Sequence, residues 1–346
     1  MELAATIGRL PKAELHLHLD GALRPETAVD LATAAGIALD LDEARRRMIA
    51  PRHGVDQAAL LTYFDLPITL LQTADALERV TAELIADLAS DGVAYAEIRW
   101  APRLHLQEGL AVAEVIDAVS RGISRAAAKL GPGTPLIGLV VVAMRSHPPA
   151  ANVELARTAA AFGAPLVGFD LAGLEAEYPA PPHAAAFRAA EEGGLHLTVH
   201  AGEVPGPAHV REALELGAER VAHGVTAIED AELMALLRQR DVTLDLCPTS
   251  NVQTGVVPEL AEHPLAALHR AGVSVTISTD DPTIAATTLS GELAATATAL
   301  GLSRAELAAI ALNAFDRAFA PRQMIAPRRA EAASAWRSWV DESPIS

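Results

Sequence analysis

His16 and His18 in ELHLHLDG, His200 in TVHAGE and Asp280 in SVTISTDDP are four metal-capable side chains at the ends of apolar, β-like runs. In an extended chain residues i and i+2 point the same way, so His16 and His18 can share one ion. An H-x-H pair alone says little, because a chain with twelve histidines produces such pairs by chance and a strand-end histidine is often merely hydrogen-bonded. Repetition gives it weight. An apolar run ends in His200 with Glu203 close behind, another in His223 of ERVAHGV, and a third in Asp280 followed by Asp281. Imidazole nitrogen with one carboxylate oxygen suits Zn2+, and a catalytic zinc keeps a position for water. The four ligands are expected to form one zinc site.

Such side chains must be brought together by a scaffold. Eight runs rich in Val, Ile or Leu read as strands: Glu14 to Leu19, Val93 to Trp100, Leu136 to Met144, Val167 to Leu171, Leu195 to His200, Arg220 to His223, Thr243 to Cys247 and Ser274 to Thr279. Ala-rich stretches with apolar residues at three and four spacing lie between them, among them Ala111 to Leu130, Asn152 to Phe162, Pro207 to Leu216 and Asp230 to Arg240. Eight repeats of strand then helix predict an α/β fold, a (β/α)8 TIM barrel. A doubly wound sheet is the rival, but no Gly-rich phosphate loop follows the first run. In a barrel the C-terminal strand ends build the active site, and every residue named above falls there.

The spacing breaks once. Residues 21–91 are too long for one crossover helix and predict a helical insertion over the barrel mouth, whose apolar segment Leu60 to Gln72 is either a lid or pocket wall or ordinary packing. Beyond Ser290 the pattern predicts extra C-terminal helices, one opened by a capping box at Ser303 and Glu306, and a frayed end in DESPIS. Residues 1–346 read as a single domain, since α/β barrels commonly pass 250 residues as one unit.

Composition narrows the partners. The chain is 51% hydrophobic, enough for a large core, and its net charge of −17 argues against a nucleic-acid backbone or an anionic membrane. Cys247 is the single cysteine, which excludes an intrachain disulfide framework. No signal-peptide pattern opens the sequence, and the run Leu136 to Met144 is too short to span a bilayer, so a cytoplasmic setting is expected.

The stretches PKAELHLHLDGALRPET (Pro11 to Thr27), YAEIRWAPRLH, VVAMR, VGFDLAGLE (Val167 to Glu175), HAGE, the AHG around His223, CPTSN and STDDP closely resemble the adenosine deaminases of the amidohydrolase superfamily, in order and over nearly the whole chain. The resemblance implies a mononuclear zinc enzyme that replaces the 6-amino group of a purine nucleoside with oxygen and releases ammonia. Relatives with two metals bridge them by a lysine on strand four. The only lysines here, Lys12 and Lys129, lie elsewhere. The other zinc deaminase type needs a P-C-x-x-C signature, which one cysteine cannot supply.

In that chemistry zinc lowers the pKa of its water to about 7. His223 is placed to orient this water and take its proton; the competing readings are a fifth ligand or a structural histidine. Glu203 is expected to protonate purine N1, since burial in an apolar pocket can keep a carboxyl protonated; the alternative is a surface capping residue. The resemblance assigns Asp281 to the purine N7 edge, Gly173 to N3 through its backbone N–H, and Asp20 to the ribose 5′-hydroxyl, with His18 facing both ion and substrate. Helix capping beside Pro282 competes for Asp281, and simple turn roles compete for Gly173 and Asp20. Phe64 and Met144 match apolar pocket positions and serve core packing equally well. Ser278 stands where the family commonly has Asn, shortening a side chain expected to support Asp280.

Three readings follow: deamination of adenosine and 2′-deoxyadenosine; zinc-dependent deamination of another 6-aminopurine, adenine or a 5′-modified adenosine; and a zinc-holding barrel that only binds. The pairing of Glu203 with His223 speaks against the last, because a scaffold needs neither. The sequence leaves the oligomeric state open.

Overall fold

The computed structural model describes residues 2–342; Met1 and residues 343–346, and with them most of the DESPIS end, lie outside the described residues. Eight strands form one parallel sheet in sequence order: β1 Lys12–His18, β2 Val93–Trp100, β3 Leu136–Met144, β4 Leu166–Ala172, β5 His196–Ala201, β6 Arg220–His223, β7 Thr243–Leu246 and β8 Ser274–Ile277. Helices follow every strand, so the (β/α)8 barrel is the observed fold. Its strands are largely apolar on both faces, interrupted by buried charges such as Glu97, Arg220 and Asp245, because the inner face fills the barrel and the outer face meets the helices. Leu139, Val141, Val199, Val221 and Leu244 are all fully buried.

Closure of the sheet depends on one site residue. β8 ends at Ile277, two residues before the expected end, and the chain then crosses to β1 through an isolated bridge between Leu17 and Asp280. The His18 amide donates to the Asp280 carbonyl at 2.8 Å, and the Asp280 amide donates to the His16 carbonyl at 2.9 Å. β1 in turn starts two residues earlier than its apolar run, at Lys12. A charged residue is tolerated there because the Lys12 ammonium donates to the carbonyls of Ile7, Leu10 and Asp91.

Between β1 and β2 the chain forms helices at Pro25–Ala34, Leu41–Met48, Gln57–Leu61, Asp65–Leu70 and Ala74–Ser90. The last is the crossover helix, packed on the helix Val112–Leu130, where a Cβ on Gly122 would lie 2.5 Å from Thr81 Cβ. The earlier ones include the segment that reaches the site, with Phe64 6.4 Å from the His18 ring and Gln57 bonded to Glu203. At the other end, helices occupy Leu289–Leu300, Arg304–Asp316 and Arg322–Asp341. The Ser303–Glu306 capping box is formed, each side chain bonded to the other residue's backbone N–H.

Candidate active site

The three histidines and Asp280 converge at the C-terminal end of the barrel. His16 Nε2 and His18 Nε2 lie 3.0 and 3.2 Å from His200 Nε2, and Asp280 Oδ1 lies 3.0 and 3.4 Å from His16 and His18 Nε2. All four residues offer ligand atoms within 4.8 Å of one another. Their supports define which atoms face inward. His200 Nδ1 lies 2.9 Å from Asp170 Oδ2, whose carboxylate also accepts from Arg99, so the His200 proton belongs on Nδ1 and Nε2 is bare. Asp280 Oδ2 accepts from the Ser250 hydroxyl at 2.7 Å, leaving Oδ1 for the cluster.

Protonation follows from burial. Desolvation pushes the His16 imidazole well below its ordinary pKa and His18 down to about 4, so both are neutral near pH 7. Burial alone would raise the Asp280 carboxyl, but the histidines around it, His16 first through its 3.0 Å contact, hold its pKa well below the ordinary carboxylate value. Nε2 of the three histidines and Asp280 Oδ1 crowd together at 3.0–3.4 Å, and of these His200 Nε2 and the carboxylate oxygen offer lone pairs, their outer atoms being already bonded. A divalent cation relieves that conflict, and this donor set fits it.

The residues beside the cluster occupy unusual backbone. His223 (φ 69°) and Asp280 (φ 63°) are two of four non-glycine residues with positive φ among the described residues. That conformation costs of order 1–3 kcal/mol and persists where surrounding structure fixes it. At Asp280 it lets the chain turn, with the Asp281 amide bonded to the Thr279 carbonyl, so successive carboxylates both serve the mouth. The Asp281 carboxyl lies flat on Gly21, where a Cβ would come within 1.8 Å of Oδ1. Asp281 Oδ1 is buried without a partner, and no side-chain capping bond engages it. Burial, and then the charges of Asp280 and Asp20, raise its pKa well above the ordinary range.

Glu203 follows His200 in a tight turn made by Gly202 (φ 85°), whose amide and that of Glu203 both donate to the buried Glu175 carboxylate. Glu203 Oε2 accepts from the Gln57 amide at 2.9 Å, and Oε1 lies 3.4 Å from His223 Nε2. Burial, together with Asp280 and Glu175, raises the Glu203 pKa well above that of a free carboxyl. A surface cap would not behave so. His223 is itself held neutral, burial lowering its pKa to about 3.

The remaining expected residues lie around this core. Asp20 is buried with Oδ1 2.9 Å from His105 Nε2, close but without hydrogen-bond geometry, so both atoms keep bonding capacity. Gly173 has φ 111°, a conformation open to glycine, and a Cβ there would also crowd Met144 Cε at 3.3 Å. Met144 packs with Ala101, Val142 and Ala172. Ser278 makes no hydrogen bond to the Asp280 side chain; its hydroxyl accepts from the His16 amide and braces β1, and Asp280 is bonded by Ser250 instead.

Several contributors were missed from the sequence: Gln57, Asp170, Glu175, Asn251 and His263. Asp170 and Asn251 sit inside the quoted motifs FDLAG and CPTSN, and their polarity beside strand ends was the available signal. Gln57 and His263 carried none: the partners of Gln57 are distant in sequence, and His263 closes no apolar run.

A barrel with three histidines and an aspartate gathered at its catalytic end defines a metal-dependent hydrolase of amidohydrolase type. The adenosine deaminase family model matches residues 11–329, and the chain belongs to that family. It is 39% identical to the adenosine deaminase of Mycobacterium sp. (strain JLS), covering 91% of this chain and 92% of that protein. Among solved structures it resembles the adenine deaminase of Arthrobacter aurescens (29% identity, TM-score 0.86, 96% of this chain and 99% of that one). It also resembles an amidohydrolase from Burkholderia ambifaria with bound zinc (26% identity, TM-score 0.89, 98% and 93%).

Proposed function

We propose that this chain, read as one catalytic domain, hydrolyses the 6-amino group of adenosine and 2′-deoxyadenosine, giving inosine or 2′-deoxyinosine and ammonia. The observation that carries this reading is the place of Glu203, buried beside the metal-ligand cluster with Oε1 3.4 Å from His223 Nε2, where burial raises the pKa of its carboxyl. One zinc per chain, held by His16, His18, His200 and Asp280, supplies the Lewis acidity that makes water a nucleophile near neutral pH. The protein's own groups do the rest. The Glu203 carboxyl gives its proton to purine N1, which makes C6 electrophilic. His223, 3.4 Å from Glu203 and 3.8 Å from Asp280, orients the attacking water; as its oxygen bonds C6, the Glu203 carboxylate left by protonation of N1 takes up one water proton, and the other departs with the amine as ammonia. Asp281 Oδ1, lacking any partner, reads the N7 edge as a protonated donor. The Gly173 amide meets N3, His18 lines the substrate face, and Asp20 takes the 5′-hydroxyl. The cytoplasmic setting expected from the sequence belongs to this proposal.

A second substrate has support from one observation, the likeness to a protein described as an adenine deaminase. Buried Asp20 beside His105 favours the nucleoside, because an uncapped carboxylate oxygen there wants a hydroxyl donor. Initial rates on zinc-loaded protein with adenosine, 2′-deoxyadenosine, adenine and 5′-substituted adenosines test the choice, with metal analysis of the same sample. Adenosine and 2′-deoxyadenosine are expected to be fastest. A preference of orders of magnitude for adenine or a 5′-substituted compound would overturn the proposal.

A further inference from the structure

His223 stands at one end of a chain of buried hydrogen bonds that leads away from the site. Its Nδ1 lies 3.1 Å from Asn251 Nδ2, Asn251 Oδ1 lies 3.1 Å from His263 Nε2, and His263 Nδ1 accepts from the Leu265 backbone amide at 3.1 Å. Asn251, His263 and His223 are all at most 3% exposed. The direction of every bond follows from the last one, since a backbone N–H can only donate.

Because Leu265 N–H donates, His263 Nδ1 is an acceptor, and the ring's single proton sits on Nε2. That proton points at Asn251, so the amide oxygen receives it and the amide NH2 faces the other way, toward His223. His223 Nδ1 is then an acceptor as well, and its proton sits on Nε2, the nitrogen facing Glu203 and Asp280. Burial alone lowers the pKa of His263 to about 3, consistent with a neutral ring in the relay.

We infer that Asn251 and His263 are positioning residues that fix the tautomer of His223, so that it presents an Nε2–H donor to the reacting face. The sequence led to the expectation that His223 takes the proton of the attacking water. A neutral ring with its proton already on the inward nitrogen has no lone pair there to do so. Instead it donates a hydrogen bond to the water oxygen, holding the lone pair meant for C6 in a set direction. The relay thereby separates two tasks: His223 aims the nucleophile, and Glu203 supplies the proton.

The inference rests on the deaminase reading for its kinetic arm only. Long-range proton–nitrogen correlation spectra of zinc-loaded protein with 15N-labelled histidine, with His223 assigned from its absence in His223→Gln, read the tautomer directly. The expected pattern has a pyrrole-type Nε2 and a pyridine-type Nδ1; the reverse pattern overturns the inference. Asn251→Asp replaces the donor by an acceptor of the same shape, which should invert that pattern and lower kcat by about 10–100-fold with KM little changed. His263→Gln, which keeps an N–H at similar reach, should retain most of the activity that His263→Phe loses. Equal losses in the two would mean that His263 only fills space, and would count against the relay. Should no 6-aminopurine be deaminated while His223 carries its proton on Nε2, the functional proposal fails and the relay stands.

Discussion

The barrel buries charge at both ends, and the two clusters are built on opposite terms. Toward the N-terminal end, Arg220 at the start of β6 is bonded to Asp245 at 2.8 Å, to Glu97 and to the Arg317 carbonyl, with the Phe319 ring 3.6 Å beneath its guanidinium carbon. Glu97 further accepts from the Tyr95 hydroxyl and the Phe319 amide, and Asp245 accepts from Thr276. Every charge there has an opposite charge and further hydrogen bonds. At the C-terminal end the balance is incomplete: Arg99, Asp170 and His200 are matched, but His16 Nδ1, Asp20 Oδ1, His105 Nε2, Asp281 Oδ1 and Glu292 Oε1 have no hydrogen-bond partner among the described residues. A network closed upon itself holds strands together, whereas one left open is completed by something that is not protein.

The contrast is broken most severely at Glu203. Glu203→Gln should lower kcat by about 10²–10⁴-fold, with zinc content unchanged and the thermal midpoint no lower than wild type. Undiminished turnover would remove Glu203 from the chemistry. Arg220→Met attacks the closed network and leaves Glu97 and Asp245 buried without their cation, which should cost about 3–5 kcal/mol in urea unfolding. The folded fraction should keep its kcat, since no bond of Arg220 reaches the C-terminal end. An activity loss beyond the unfolded fraction would contradict the separation of the two ends.

How far this division could be read beforehand differs between its halves. The convergence of His16, His18, His200 and Asp280 was legible because they lie at the ends of apolar runs, with Glu203 close behind one of them, so strand periodicity and chemistry coincide there. Strand positions were legible for the same reason, to within two residues. The closed network was not, because Arg220, Glu97 and Asp245 interrupt apolar strands and look like errors of pattern until their mutual contacts are seen. Gln57 and His263 were equally silent. The partners of Gln57 are far away along the chain, and no local spacing encodes such a contact. At Ser278 the doubt about support for Asp280 is answered elsewhere: the hydroxyl bonded to Asp280 is that of Ser250, on a neighbouring element.

Smaller effects sharpen the picture. Asp281→Asn keeps shape but can turn an amide oxygen to the substrate; kcat/KM should fall by about 10–100-fold, with unfolding free energy nearly unchanged or improved. Equal activity would assign Asp281 to the fold. The mildest prediction concerns Glu292, whose carboxyl burial raises from 4.5 to about 7. With a raised folded-state pKa, its contribution is fully present below pH 4.5 and is lost as pH rises through 7. Glu292→Gln has no such loss, so its stability relative to wild type should improve between pH 5 and pH 8 by on the order of 1–2 kcal/mol. A pH-independent difference would show that Glu292 keeps an ordinary pKa.

The bridge between Leu17 and Asp280 bears on the order of assembly. The first two ligands are among the earliest residues of the barrel, and the last lies beyond its final strand, so the same event that joins the ends of the sheet completes the coordination sphere. No fragment made during synthesis can hold the ion as the finished protein does. Metal capture and the closing of the sheet should therefore share one rate, slow because it waits on contacts between residues near opposite ends of the chain.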